Sequence, residues 1–284
     1  MDMSLAVIVP AYNESSFIVR CLEGLLSQTL PALEVLVVDD SSTDDMLEKV
    51  ADFSQANSSL NVRVVGHQKV GGYDIMGNYT EMLVFGWSNL ARGLDYVAIC
   101  DADTVLSPSY YERVLPAMEA NSRVGIAGGE LLPEPGMQHW WRNKKLLGAY
   151  PYVYGCNRVY RSECWQELLR NQDPVRVLTH VGVDTYHALL ARALGWQVLK
   201  QTDAISTAMR PPASLVSSRL KGISSFVLGY SLLQIAGRAL FNRDSGYLQG
   251  WLWAHSQKLP RLAKVQPFVR ALFWRRFFQT FAGN

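Results

Sequence analysis

Three short apolar runs in the first hundred residues each end on polar or acidic side chains. That pairing constrains the fold more than any other feature of the chain. Residues 4–9 (SLAVIV) lead through Pro10 to Tyr12, Asn13 and Glu14. Residues 33–38 (LEVLVV) stop at Asp39 and Asp40, and 95–100 (DYVAIC) stop at Asp101-Ala102-Asp103. Apolar runs of this length, bounded by breakers, read as parallel strands buried on both faces. Residues 61–66 and 123–128 read as two more. Helical spacing separates them: Phe17, Val19, Leu22, Leu25 and Leu26 after Ser15-Ser16, then 44–54 behind a Ser-Ser-Thr cap, 79–92, and 107–120. Strand and helix alternate five times in about 130 residues, which predicts an α/β fold with a mostly parallel sheet. Ligands of such sheets sit beyond the carboxyl ends of the strands, so all three polar clusters aim at one crevice.

The chain has 284 residues, 49% of them apolar and 18% charged, which suits one large domain with an appendage and excludes disorder. Its net charge of +2 hides an asymmetry. From Arg210 onwards there are eleven basic residues and one acid, Asp244, against 16 basic and 24 acidic groups before it. An acidic body with a basic tail suggests two jobs. Cys21, Cys100, Cys156 and Cys164 show neither a CxxC nor a zinc spacing and read as free thiols of a reducing compartment. The first apolar run is short and has no basic region before it, unlike a signal peptide. No stretch reaches about 18 uninterrupted apolar residues. The nearest, Ile223 to Phe241, contains Ser224, Ser225, Ser231, Gln234 and Arg238.

Asp101 and Asp103 are oxygen ligands suited to a hard divalent cation. Together, IVPAYNES at 8–15, VLVVDDSSTD at 35–44 and YVAICDADTVLSP at 96–108 resemble a family 2 glycosyltransferase of the GT-A fold. The resemblance covers roughly residues 4–130 well and 150–195 more loosely. It implies an inverting enzyme that moves a sugar from a nucleotide-sugar (a UDP- or GDP-sugar) to an acceptor. By motif position, Pro10, Tyr12 and Glu14 match the first nucleotide-binding loop. Asp39 matches the carboxylate that accepts from the base, with Asp40 beside it. Asp101, Ala102 and Asp103 match the motif that holds sugar, ribose and diphosphate, with Asp101 and Asp103 holding Mg²⁺ or Mn²⁺. Asp184, in Gly182-Val183-Asp184-Thr185, matches the general base that takes the proton of the acceptor hydroxyl. Arg158, in GCNRVYR at 155–161, matches a donor-lining segment, where Arg158 or Arg161 would face a phosphate.

Two departures stand out. Val183 replaces the acid that usually precedes Asp184, and GYDIMGNYTEM at 72–82 replaces a familiar Ala-Arg-Asn motif. The five histidines show no metal-ligand spacing and read as ordinary core or surface residues. The first-strand loop, PAYNESS, lacks the glycine, arginine and lysine that a sugar-1-phosphate nucleotidyltransferase needs. The acids argue against a binding module without catalysis.

Residues 1–211 are expected to form the GT-A domain, with a nucleotide-binding part to about 105 and an acceptor part after it. Residues 212–284 are expected to form a helical extension. Its stretch 247–284 is basic and aromatic, ending FVRALFWRRFFQTF, as in segments that lie in a membrane interface. With Trp140, Trp141, Arg142, Lys144 and Lys145 as a second contact, this suggests a peripheral enzyme on the cytoplasmic face. Its acceptor would be a polyprenyl-linked or cell-envelope glycan, and no nucleic-acid module is visible.

Overall fold

The computed structural model describes residues 3–68, 75–137, 153–172, 182–211 and 218–271. The strands are β1 (Leu5–Ala11), β2 (Glu34–Asp39), β3 (Val62–Gly66), β4 (Tyr96–Cys100), β5 (Thr104–Leu106), β6 (Val124–Pro133), β7 (Asn157–Arg161) and β8 (Gln197–Ala208). The helices are α1 (Ile18–Leu26), α2 (Met46–Ala56), α3 (Ile75–Asn89), α4 (Tyr110–Glu119), α5 (Ser162–Asn171), α6 (Val183–Ala193), α7 (Ser218–Val227), α8 (Leu232–Asn242) and α9 (Gly246–Ser256). The chain divides into two compact units. The first is Met1–Tyr73, Asn78–Arg170 and Trp196–Pro212; the second is Asp74–Gly77, Asn171–Gly195 and Ala213–Asn284.

The first unit holds one eight-stranded sheet in the order β3-β2-β1-β4-β7-β6-β8-β5. Strands β1, β2, β3 and β4 run parallel; the continuous apolar runs of β1, β2 and β4 predict this, while β3 lies at the edge of the sheet and is largely exposed. Every residue of β1, β2 and β4 is buried, because helices cover both faces. On one face, Ile18, Cys21, Leu22 and Leu25 of α1 and Tyr110, Val114, Leu115 and Met118 of α4 join the strands in one core. On the other, α3 comes so close that a Cβ on Gly86 would lie 2.9 Å from Ile8. The chain leaves β1 for β2 on one side and returns to β4 on the other. A switch of this kind opens a crevice at the strand ends.

Two strands differ from expectation. Residues 157–161, read from sequence only as part of a donor-lining segment, form β7, which runs antiparallel between β4 and β6. Residues 104–106 form β5, which pairs antiparallel with β8. Strand β8 is continuous from 197 to 208, and its pairing with β6 slips between Gly129↔Gln201 and Glu130↔Ile205. At this irregularity a Cβ on Gly129 would lie 2.0 Å from the Ala204 carbonyl oxygen, so the bulge requires glycine. None of the four cysteines, all among the described residues, forms a disulfide.

The carboxylate of Asp95 ties the starts of β1 and β4 together. It accepts from the Ser4 N–H at 2.9 Å and the Ser4 hydroxyl at 2.7 Å. These bonds hold its carboxyl below the usual carboxylate range. A carboxyl lowered on folding contributes stability above its unfolded pKa and loses it as the pH falls through the folded one. Asp95→Asn is therefore expected to lower stability by about 1 kcal/mol at neutral pH. The difference from the parent should begin to shrink below about pH 4 and vanish only once the pH has passed below the lowered folded value.

The second unit is helical. Helices α7 and α9 meet through reciprocal glycines. A Cβ on Gly222 would lie 2.1 Å from the Tyr247 carbonyl oxygen, and one on Gly250 would lie 1.9 Å from that of Arg219. Phe226 and Trp251 pack edge to face at 5.2 Å, and Arg261 stacks over Phe226 at 4.3 Å. A capping box of Ser231 and Gln234 starts α8. Among the described residues, no helix is long and apolar enough to cross a membrane.

Candidate active site

The ends of β1, β2 and β4 lie side by side, and short polar bonds knit their loops. Past Ala11, Asn13 takes a left-handed conformation, φ 55°, which asparagine tolerates. Its N–H donates to the Ser42 hydroxyl at 2.9 Å, and its Oδ1 accepts the Thr43 N–H at 2.7 Å. Next to it, the Ser15 N–H donates to Asp44 at 3.0 Å. The first loop is thus fixed to the cap of α2. Pro10 is buried inside β1 opposite Val38, and Tyr12 stands at the surface.

At the end of β2, Asp39 accepts the Ser42 N–H at 3.0 Å. The buried Asp40 pairs with His67 Nδ1 at 2.9 Å. His67 in turn meets Phe85 of α3 edge on, with ring centroids 5.3 Å apart. This histidine is a satisfied core residue, as the sequence suggests, and it fixes the carboxylate beside Asp39.

Asp101 follows β4 directly, and the buried Ala102 carries the turn on to Asp103. The Tyr79 hydroxyl donates to Asp101 Oδ1 at 2.7 Å. Burial, reinforced by the Asp101 charge, pushes the Tyr79 hydroxyl well above the usual phenol range, so it keeps its proton. Tyr79 belongs to the segment that replaces Ala-Arg-Asn, where sequence reasoning assigned no contact.

Sequence reasoning also counted Arg210 only as one charge of the basic tail. The guanidinium sits between two of the clusters. It forms a two-pronged pair with Glu14, 2.7 and 3.2 Å, and Nε lies 2.5 Å from Asp103 Oδ2. It also stacks over Phe17 at 5.6 Å. The β5–β8 ladder brings it there: it runs through Thr104↔Ala208 and is prolonged by the Met209 N–H donating to the Asp103 carbonyl. Burial raises the Glu14 carboxyl above the usual range, and Arg210 only partly counters this. Burial works against the charge on Arg210, but Asp103 and Glu14 more than offset it and raise its pKa.

Arg158 stands on β7 opposite Ile99, two residues before Asp101. Its side chain is fully buried on β7, with Nη2 donating to the Val153 carbonyl at 2.5 Å. Arg161 turns to the other end of its strand, donating to the Met118 carbonyl at 2.7 Å. Asp184 lies in the first turn of α6, in the second unit, and its Oδ1 accepts the Thr185 N–H at 2.7 Å. A Cβ on Gly182 would lie 2.6 Å from that same oxygen, so the glycine leaves room for the carboxylate. Trp140 to Lys145, His139, His180 and the tail beyond residue 271 lie outside the described residues.

Among the described residues no cluster of three or more metal-binding side chains is formed. The Asp101–Asp103 pair nevertheless suits a divalent ion bound with a substrate. Mg²⁺ and similar ions at nucleotide sites commonly take one or two carboxylates and draw further oxygens from phosphates. The charge balance agrees: Glu14 and Asp103, at two of these strand ends, share the Arg210 guanidinium, and Asp101 adds a further carboxylate beside Asp103.

Among curated proteins, the chain is 36% identical over 111 residues to chondroitin synthase of Escherichia coli, covering 39% of this chain and 15% of that protein. It is 32% identical over 128 residues to the glycosyltransferase GlyG of Streptococcus pneumoniae, covering 45% and 39%. The chain thus spans well under half of either. Among solved structures, it resembles a mannosyltransferase of Pyrobaculum calidifontis in complex with GDP-Man and Mn²⁺. The TM-score is 0.55 at 21% identity, over 94% of this chain and 73% of that one. It also resembles S. aureus TarS residues 1–349 in complex with UDP, with a TM-score of 0.54 at 20% identity, over 78% and 65%. These likenesses give the fold as GT-A. The pattern described as glycosyl transferase family 2 matches residues 6–188, more than half of the chain and all three strand-end clusters, and the chain belongs to that family of glycosyltransferases.

Proposed function

We propose that this glycosyltransferase moves a sugar from a UDP- or GDP-sugar to an acceptor hydroxyl with inversion, in a single in-line displacement. The observation that carries this is the meeting of Glu14, Asp103 and Arg210 at the switch-point crevice, beside Asp39 and Asp101. In this reading, Asp39 accepts from the nucleotide base and Tyr12 flanks it. Asp101, Ala102 and Asp103 line the ribose, the sugar and the diphosphate. Asp101 and Asp103 would hold Mg²⁺ or Mn²⁺, whose chemistry is to neutralise charge on the departing diphosphate. The chain's own side chains do the rest. Tyr79, still protonated, orients Asp101. Arg210 offers a fixed positive fork to the phosphates. Asp184 takes the proton of the attacking hydroxyl. The buried Arg158 supports β7 and is left out of the phosphate contacts.

The acceptor we propose is a lipid-linked or cell-envelope glycan, met at the cytoplasmic face. Residues 1–211 would form the GT-A domain, with its nucleotide-binding part to about 105 and its acceptor part from about 106 to 211, and residues 212–284 the helical extension.

A panel of UDP- and GDP-sugars tests the reading through release of nucleoside diphosphate with and without Mn²⁺. One donor class is expected to be turned over. Calorimetry is expected to show nucleoside diphosphate binding about tenfold or more weaker in EDTA. Equal binding in EDTA would remove the metal role of Asp101 and Asp103. Neither binding nor turnover with any donor would overturn the transferase reading of the crevice.

A further inference from the structure

Helix α8 is built inside out. Its buried positions are Gln234 and Ile235, while Leu240 is 81% exposed, Leu233 67% and Phe241 64%, with Leu232 exposed as well. Leu232, Leu233, Ala236, Gly237, Leu240 and Phe241 recur at i, i+1, i+4, i+5, i+8 and i+9. At 3.6 residues per turn these positions sweep about half of the helix, and no polar residue interrupts them. A surface helix of a water-soluble protein places such a stripe inward. Here the capping-box glutamine points inward instead. The same helical unit exposes Leu220 on α7, and Leu252 and Trp253 on α9.

Charge decides what covers this face. Residues 218–271 carry Arg219, Lys221, Arg238, Arg243, Lys258, Arg261, Lys264 and Arg270 against Asp244 alone. A second copy of the chain would bring an equally cationic surface to it, and like charges oppose that pairing. Nucleic acid would meet the cations but leave the leucines and Phe241 facing phosphate and water. A bilayer with anionic headgroups satisfies both: acyl chains take the apolar half-helix, and headgroups take the arginines and lysines.

We propose that α8 is an in-plane docking helix that seats the protein on an anionic membrane surface through Leu232, Leu233, Leu240 and Phe241. This is independent of the donor reading, because it needs no nucleotide and no turnover. It also differs from a contact made by the aromatic tail, because α8 precedes that segment.

The test is co-sedimentation of the full chain with vesicles of phosphatidylcholine alone or with about 30% phosphatidylglycerol. Binding is expected to the anionic vesicles and to weaken in about 0.5 M salt. Leu240→Ser combined with Phe241→Ser is expected to cut binding about tenfold or more, with an unchanged melting temperature because both side chains are exposed. Arg243→Asn suits the left-handed helix end there, φ 51°, and removes one charge. It is expected to weaken binding about fivefold. The proposal is overturned by any of three results. The parent does not bind anionic vesicles, the double variant binds as the parent does, or neutral vesicles bind equally well. Ultracentrifugation adds a fourth overturning result: a dimer that the double variant abolishes, with no vesicle binding.

Discussion

Asp184→Asn is expected to lower the turnover of sugar transfer by about 10² or more while leaving donor affinity within a few-fold of the parent. The substitution keeps the shape of the side chain and its acceptance of the Thr185 N–H, but an amide cannot take a proton at neutral pH. Asp184 also sits in the first turn of α6, where a negative charge favours the helix by about 0.3–1 kcal/mol. The two roles separate cleanly. If the carboxylate serves the helix alone, Asp184→Asn shifts the melting temperature slightly and turnover stays near the parent. If it serves the acceptor, kcat falls and nucleoside diphosphate binding by calorimetry is untouched. Gly182→Ala adds a check, because its Cβ would meet Asp184 Oδ1 at 2.6 Å and must displace the carboxylate. That variant should lose kcat in the same direction as Asp184→Asn while keeping every ionisable group.

The parallel half of the sheet was legible because its signals are local. Each of β1, β2 and β4 is one apolar run followed at once by its polar side chains, so strand and cluster are read from the same dozen residues. Strand β7 was not legible. NRVYR carries two arginines, and it is a central strand only because Arg158 buries its guanidinium against a backbone carbonyl and Arg161 reaches the end of α4. Arg210 was hidden for another reason. It meets Glu14 across 196 positions of sequence, through a β5–β8 register that depends on a three-residue strand. Nothing near Arg210 marks it apart from the other arginines of the tail. Helix α8 shows a third limit. Its periodicity announces an apolar face, but periodicity does not say whether that face turns towards the core or away from it.

Arg210→Ala is expected to move two affinities in opposite directions. The guanidinium now neutralises Glu14 and Asp103 together, and the Glu14 carboxyl is already raised by burial. Without it, Asp103 loses its competing cation, and Mn²⁺ alone should bind about fivefold more tightly, since a neighbouring positive charge no longer opposes it. A diphosphate brings its own negative charge to the same carboxylates and has lost its fork. A charge-assisted contact of this kind is worth about 2 kcal/mol, so nucleoside diphosphate should bind about 30-fold more weakly. A structural defect would weaken both ligands together, so the opposed signs are what identify the role. Arg210→Lys keeps the charge on a single nitrogen and cannot grip Glu14 at two points while reaching Asp103. It should restore most of the opposition to Mn²⁺ but little of the diphosphate affinity. Calorimetry of Mn²⁺ without nucleotide, and of nucleoside diphosphate at saturating Mn²⁺, measures both arms on the same three proteins. If Arg210→Ala leaves both affinities unchanged, the guanidinium is a surface charge resting on two acids, and the phosphates are held elsewhere in the crevice.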